Sequence, residues 1–241
     1  MFLCLTIQEQ VAVTMASSFR FPRTNRLRPF KNATGISDWT DLKILDYGGN
    51  AGNVLRDGLE IGEIVQSDYT CLDVDKLVLE EAKKELPNAN WIHYNRKNEC
   101  YNPEGETRIP FPFEDNTFDI VCAYSVHTHT SYEDLVFDLS EMKRVGKVVV
   151  TSLIDLDFLK VVKMKREFDY GDKLHPLWHN PLPLDGYRYY VDGEHAGDTI
   201  PDSCDFLITL YDLEWLKKQH PEIRISPSDN TFDQPMLVID E

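Results

Sequence analysis

The stretch Ile44-Leu45-Asp46-Tyr47-Gly48-Gly49-Asn50-Ala51-Gly52-Asn53 decides the reading of this chain. An apolar run ends in an acid, and a cluster of small residues follows at once. That order suits a buried parallel strand delivering its carboxyl end to a compact loop that opens a helix. It is neither the Gly-x-Gly-x-x-Gly turn of dinucleotide sites nor a phosphate-cradling P-loop, which needs a Lys followed by Ser or Thr.

Working outward, the alternation continues. Tyr69–Val74 is a second strand that also closes on an acid, Asp73. Asp75 is placed to cap a helix whose Leu79, Ala82 and Leu86 share a face before Pro87 stops it. Trp91–Tyr94 is a third strand, and the Asn-, Pro-, Gly- and Glu-rich 98–112 a loop. Phe118–Tyr124 is a fourth strand. Ser131 and Asp134 form a capping box for a helix that Gly146 ends, and Lys147–Ile154 is a fifth strand. Asn53–Asp57 is expected as a helix stopped by Gly58, and Asp155–Phe168 as another. Strand–helix alternation at this spacing predicts an α/β, doubly wound, mostly parallel Rossmann-like sheet with helices on both faces. A helix over Asp212–His220 and strands Glu222–Ser226 and Met236–Asp240 follow, the last suited to the antiparallel strand that such sheets sometimes carry.

In such sheets ligands bind beyond the carboxyl ends of the strands, and both acids lie there. Asp73 stands 21 residues after Gly52, near the spacing of an acid that accepts hydrogen bonds from a ribose diol. A ribose acid beside a loop without the pyrophosphate glycines fits a nucleoside that carries no phosphate.

These residues resemble the class I S-adenosylmethionine-dependent methyltransferases. ILDYGGNAG is similar to their first motif, with Asp46, Gly48 and Gly52 matching and Asn50 in place of the middle glycine. YTCLDVD resembles the second motif, and IPFPFEDNTFDIVCAYSVHTH the approach to the fourth strand. The resemblance covers about residues 40–155 and implies a seven-stranded sheet and S-adenosylmethionine as cofactor. The cofactor site it implies is Asp46, Gly48, Gly49, Asn50, Gly52, Asp73, Val74, Asn95 and Ala123. Asp46 either orients loop amides or meets the cofactor amine, and Asn95 takes the place of an acid near adenine. Residues after the fourth strand face the reacting methyl in this family, which makes Tyr124, Ser125, His127 and His129 the candidates. His127 is the first choice for a base and His129 the second.

Two segments fall outside this core. Residues 1–38 read as an N-terminal extension, with Arg20, Arg23, Arg26, Arg28 and Lys31 interleaved with Phe19, Phe21 and Phe30. It is a mobile or charge-pinned arm, or one that closes over a ligand. Within the 39–241 domain, residues 169–205 carry four prolines among Trp178, Tyr187, Tyr189 and Tyr190, as a lid or substrate-binding insertion would. Trp178, Tyr187 and Tyr189, with Tyr124, are the candidate contacts for a small-molecule methyl acceptor, stacked on its ring or packed as the lid's own core.

Bulk properties narrow the class. A net charge of −16 disfavours a nucleic-acid backbone or an anionic membrane as partner. The five scattered cysteines form no Cys-x-x-Cys pair and suit reduced thiols in a cytoplasmic protein. Neither a signal peptide nor a membrane-spanning run is expected, and no metal site is expected from His127, His129 and Asp134. The rival readings are an NAD-dependent oxidoreductase, disfavoured by the missing glycine pattern, and a non-catalytic nucleoside-binding or scaffold relative of the fold.

Overall fold

The computed structural model describes residues 26–98, 101–155, 157–158, 187–192, 206–227 and 234–240. Strands β1 (Ile44–Tyr47), β2 (Tyr69–Asp73), β3 (Asn90–His93), β4 (Phe118–Ala123) and β5 (Gly146–Ser152) alternate with helices α2 (Asn53–Ile61), α3 (Lys76–Glu85) and α4 (Tyr132–Val145). Helix α1 (Leu27–Thr34) precedes them. Strands β6 (Tyr187–Asp192) and β7 (Phe206–Tyr211), helix α5 (Leu213–Gln219), β8 (Arg224–Ser226) and β9 (Met236–Ile239) follow. Seven strands form one sheet in the order β3-β2-β1-β4-β5-β9-β8. The first five run parallel, and β9 is antiparallel to both neighbours, as expected for the last strand. β6 and β7 make a separate antiparallel pair.

Period-two alternation splits the strands between two cores. Leu45, Tyr47, Leu72, Val121, Ala123 and Val149 face one way, against Leu135, Leu139 and Met142 of α4. Ile44, Tyr69, Cys71, Ile120, Cys122 and Val150 face the other, against α1, Val54 and Leu55 of α2, and Leu79 of α3. With both faces covered, every residue of β1 and β2 is buried, which is why those strands read as near-continuous apolar runs.

Helix caps set the boundaries. Asp75 accepts from the amides of Leu77 and Val78, and Ser131 from that of Asp134, satisfying donors that a helix N-terminus leaves open. Helix α2 passes through Gly58, where it was expected to stop, and ends at Gly62 in the left-handed conformation. Gly58 is a packing residue: a Cβ there would meet Ile64 at 2.4 Å.

Part of the 1–38 extension belongs to the body. Leu27, Phe30 and Ala33 of α1 are buried three residues apart, and the helix packs on α2, β5 and β9. Gly35 caps it with φ +75°, and its amide donates to the Lys31 carbonyl at 2.9 Å. Its apolar face outweighs the charge that suggested an arm. Residues 1–25 lie outside the described residues, as do most of the helix expected over 155–168 and all of 169–205 except β6.

Candidate functional site

The loop after β1 is built by unusual backbone. Gly48, Asn50 and Gly52 have φ of +69°, +50° and +75°. Side chains rarely adopt this region, and Asn is the non-glycine residue that tolerates it best. A Cβ at Gly48 would meet Val126 at 2.3 Å, and one at Gly52 would meet Trp91 at 2.6 Å. Asn50 thus keeps the conformation that a glycine would supply. Its Oδ1 accepts from the Ala51 amide at 2.7 Å, and its own amide donates to Asp73 Oδ2 at 2.8 Å.

The two acids meet across that loop. Asp73 ends β2 with Oδ2 on the Asn50 amide and Oδ1 accepting from the Asp75 amide at 2.9 Å. Burial pushes its carboxyl up to about 6, opposed by the Asp75 and Asn50 amides. Asp46 pairs in register with Cys71 and Cys122 and turns toward them. Its carboxylate accepts from the Tyr69 hydroxyl at 2.5 Å and from the Cys122 thiol at 3.8 Å. Burial pushes Asp46 up to about 7; the Tyr69 hydrogen bond opposes this, and the nearby Asp73 charge adds to it.

A cavity of about 530 Å³ opens over these strand ends, a usual size for a small-molecule site. Asp46, Gly48, Gly49, Asn50, Asp73, Val74, Tyr124, Ser125 and His129 border it. It therefore gathers most of the residues expected from sequence. Gly52, Ala123, Asn95 and His127 are not in its wall. Gly52 packs under Trp91, and Ala123 is buried in the core. Asn95 is exposed and bonds Glu106 and Asn102 instead of facing a ligand.

His127 is displaced from its expected role. Its ring is fully buried, with Nδ1 2.7 Å from Thr151 Oγ1 and Nε2 3.3 Å from Asp138 Oδ2. Asp138, on α4, also takes a hydrogen bond from Tyr47 and the Arg96 guanidinium, and Arg96 reaches Asp134 at 2.9 Å. Burial and the Asp138 charge raise the Tyr47 phenol well above its ordinary range. With both ring nitrogens engaged in this network, His127 braces the β4–α4 loop and has none to offer a substrate. His129, two residues on, borders the cavity.

Of the expected acceptor contacts, Tyr124 borders the cavity, with the Arg26 guanidinium 4.3 Å above its ring and Phe30 edge-on at 6.0 Å. Trp178 lies outside the described residues. Tyr187 and Tyr189 fall on β6, whose partner β7 is tied to the β4–α4 loop. There the Thr209 amide donates to the Thr128 carbonyl at 2.9 Å, and Thr209 Oγ1 to the Thr130 carbonyl at 2.6 Å.

Sequence reasoning missed several wall residues. In the sequence Arg26 is one member of a basic cluster. Asn98 and Tyr101 belong to the 98–112 stretch that reads as loop, Lys97 falls just before it, and Gln234 lies in the turn-rich approach to β9. No periodicity marks any of them; their proximity is set by strand order alone.

Comparison with known proteins places this geometry. The sequence profile described as "Methyltransferase domain" matches residues 45–149, from the middle of β1 into β5. Residues 45–149 are thus similar to a methyltransferase domain. Among solved structures, the PH0226 protein of Pyrococcus horikoshii is 14% identical, with a TM-score of 0.57 over 98% of this chain and 99% of its own. The glycopeptide N-methyltransferase MtfA, solved with S-adenosylmethionine, is 12% identical, with a TM-score of 0.53 over 90% of this chain and 93% of its own. DesVI of Streptomyces venezuelae is 15% identical, with a TM-score of 0.50 over 97% and 93%. At these identities the likeness is one of fold. No curated protein sequence matches the chain. Among the described residues, no helix is long and apolar enough to cross a membrane, and no group of three or more His, Cys, Asp or Glu side chains could hold a metal ion.

Proposed function

We propose that this chain transfers the methyl group of S-adenosylmethionine to a small-molecule acceptor. The observation that carries the reading is the Asp73 carboxylate, seated on the Asn50 amide where the β1 and β2 ends open into the cavity. In a sheet whose order reverses beside β1, that crevice is where a nucleoside binds. Asp73 would accept from the ribose hydroxyls, Val74 and Tyr101 would flank the base, and the Gly48–Gly49 backbone would approach the methionine tail.

Methyl transfer is an in-line displacement. An acceptor lone pair forms a bond to the methyl carbon, the carbon–sulfur bond breaks, and its electron pair stays on the now neutral sulfur. The leaving group is already activated, so the protein chiefly aligns the partners. A base is needed only where the acceptor must lose a proton. We assign that role to His129, which borders the cavity with Tyr124 and Ser125. The 169–205 segment would close over the acceptor; the support is the attachment of β7, the partner of β6, to the loop that carries His129. The chain's acidity suits a small acceptor in the cytoplasm better than a nucleic-acid one.

The test is turnover of the full chain with S-adenosylmethionine and a panel of amines, phenols and alcohols, scored by mass spectrometry for methylated product. His129→Ala should slow a hydroxyl acceptor by roughly 10²–10⁴-fold with cofactor affinity kept. Equal rates in His129→Ala and the parent chain on such an acceptor would remove His129 from the chemistry.

A further inference from the structure

Among the described residues, two buried side-chain oxygens have no hydrogen-bond partner: Gln234 Oε1 and Thr130 Oγ1. Both residues border the same cavity, together with Ser125 and His129. An unpaired buried polar atom has lost its water without a replacement, which weakens a fold. Two in residues of one cavity wall need partners that the protein itself does not supply.

The surrounding bonds fix what is left open. Thr128 Oγ1 donates its hydrogen to the Ser125 carbonyl at 3.0 Å. In the 3.3 Å contact between the Ser125 and Thr128 hydroxyls, Ser125 must then be the donor. Its own oxygen is thereby free to accept from Gln234 Nε2 at 3.2 Å. This chain of donors orients the Gln234 amide, and its oxygen remains a pure acceptor. Ser125 is itself held at φ +60°, a strained setting for a serine, with its amide on Ser152 Oγ at 2.7 Å.

Position separates this group from the cofactor's acids. Gln234 leads into β9, and Asp73 ends β2; β1, β4 and β5 lie between them. At about 4.8 Å per strand, that places the two strands roughly 19 Å apart across the sheet. Gln234 thus lies on the acceptor's side of the cavity.

We propose that Gln234 and Thr130 form a polar specificity site that takes an N–H or O–H donor of the methyl acceptor, with Gln234 Oε1 receiving that hydrogen. The inference rests on the methyltransferase reading of the cavity. Acceptors whose corresponding nitrogen or oxygen is fully alkylated offer no such hydrogen and are rejected, because binding them would leave Gln234 Oε1 unpaired. Thr130 either donates to or accepts from the same group, as hydroxyls can.

The test uses the full chain loaded with S-adenosylhomocysteine and two pairs of probes, followed by ligand-observed NMR. Benzylamine is set against benzyltrimethylammonium, and benzyl alcohol against benzyl methyl ether. We expect the donor-bearing member of at least one pair to bind about tenfold more tightly, with Gln234→Met erasing the difference. The pair that discriminates separates a nitrogen acceptor from an oxygen one. Equal binding within both pairs, binding of neither member, or discrimination that survives Gln234→Met overturns the proposal. A ligand-free readout accompanies it. Thr130→Val removes an unpaired hydroxyl at constant shape and should raise the melting temperature by about 2–4 °C. A lower or unchanged value overturns the reading of that hydroxyl as open. Failure to bind S-adenosylhomocysteine at all would instead contradict the methyltransferase reading, so the two failures are told apart.

Discussion

Replacing Asn50 probes whether the loop after β1 depends on a left-handed residue at that position. With φ at +50°, an alanine there would bear backbone strain of about 1 kcal/mol or more. It would also lose the Oδ1 bond to the Ala51 amide, worth about 1 kcal/mol. Asn50→Ala should therefore cost about 2 kcal/mol in all, a fall of roughly 4–8 °C in melting temperature for a domain of this size. Asn50→Gly forfeits the same side-chain bond but relieves the strain, so its net effect should stay within about 1 kcal/mol. Because the Asp73 contact comes from the backbone amide, the glycine variant should also keep the cofactor affinity of the parent chain. The assay is thermal melting with and without S-adenosylmethionine. An alanine variant as stable as the parent chain, or a glycine variant destabilised as much as the alanine one, would refute the strain argument. A glycine variant that binds while the natural chain does not would identify the chain as a non-catalytic relative of the fold.

Asp138→Asn should destabilise the protein by about 1–3 kcal/mol, since it removes the buried carboxylate that Arg96, Tyr47 and His127 share, while Asp134 keeps the guanidinium paired; chemical denaturation measures this, and an unchanged stability would show the network to be idle. Asp46 and Asp73 have folded values of about 7 and about 6, above the unfolded aspartate value of about 3.9. Their protonated forms are thus favoured in the fold, a contribution fully present below about pH 4 and lost as pH rises through about 6 to 7. In its proposed role Asp73 accepts from the ribose diol as a carboxylate, so S-adenosylmethionine affinity should rise with pH across that window. Binding should release protons there, seen as buffer-dependent heats in calorimetry; buffer-independent heats at pH 6 would contradict it.

The sheet was legible because its physics is local and repetitive. Apolar runs ending in Asp46 and Asp73 announce parallel strands, and Asp75 and Ser131 announce helix starts, each through one side chain satisfying open amides. The loop after β1 was legible for the same reason, glycines in sequence being backbone freedom in space. What failed did so where tertiary contacts decide. Gly58 looks like a stop, but Ile64 packing over it carries the helix one turn further. Arg26 and Arg28 look like an arm, but Leu27, Phe30 and Ala33 turn the same segment into a core helix. His127 looks like a base because it follows β4, yet its orientation depends on Asp138 and Thr151, 11 and 24 residues away. Gln234 could not be linked to Ser125, 109 residues earlier, without the strand order.

The central claim is that Asp73 and the Gly48–Gly52 loop hold S-adenosylmethionine. Calorimetric titration of the full chain and of Asp73→Ala tests it most directly, with circular dichroism confirming that the variant is folded. The parent chain should bind the cofactor and its demethylated product, and fail to bind NAD. Loss of the charged hydrogen bonds to the diol should weaken binding in the variant by about 1–3 kcal/mol, roughly 5- to 150-fold in Kd. Undiminished affinity in a folded Asp73→Ala chain, or a parent chain that binds NAD in place of S-adenosylmethionine, would contradict the account.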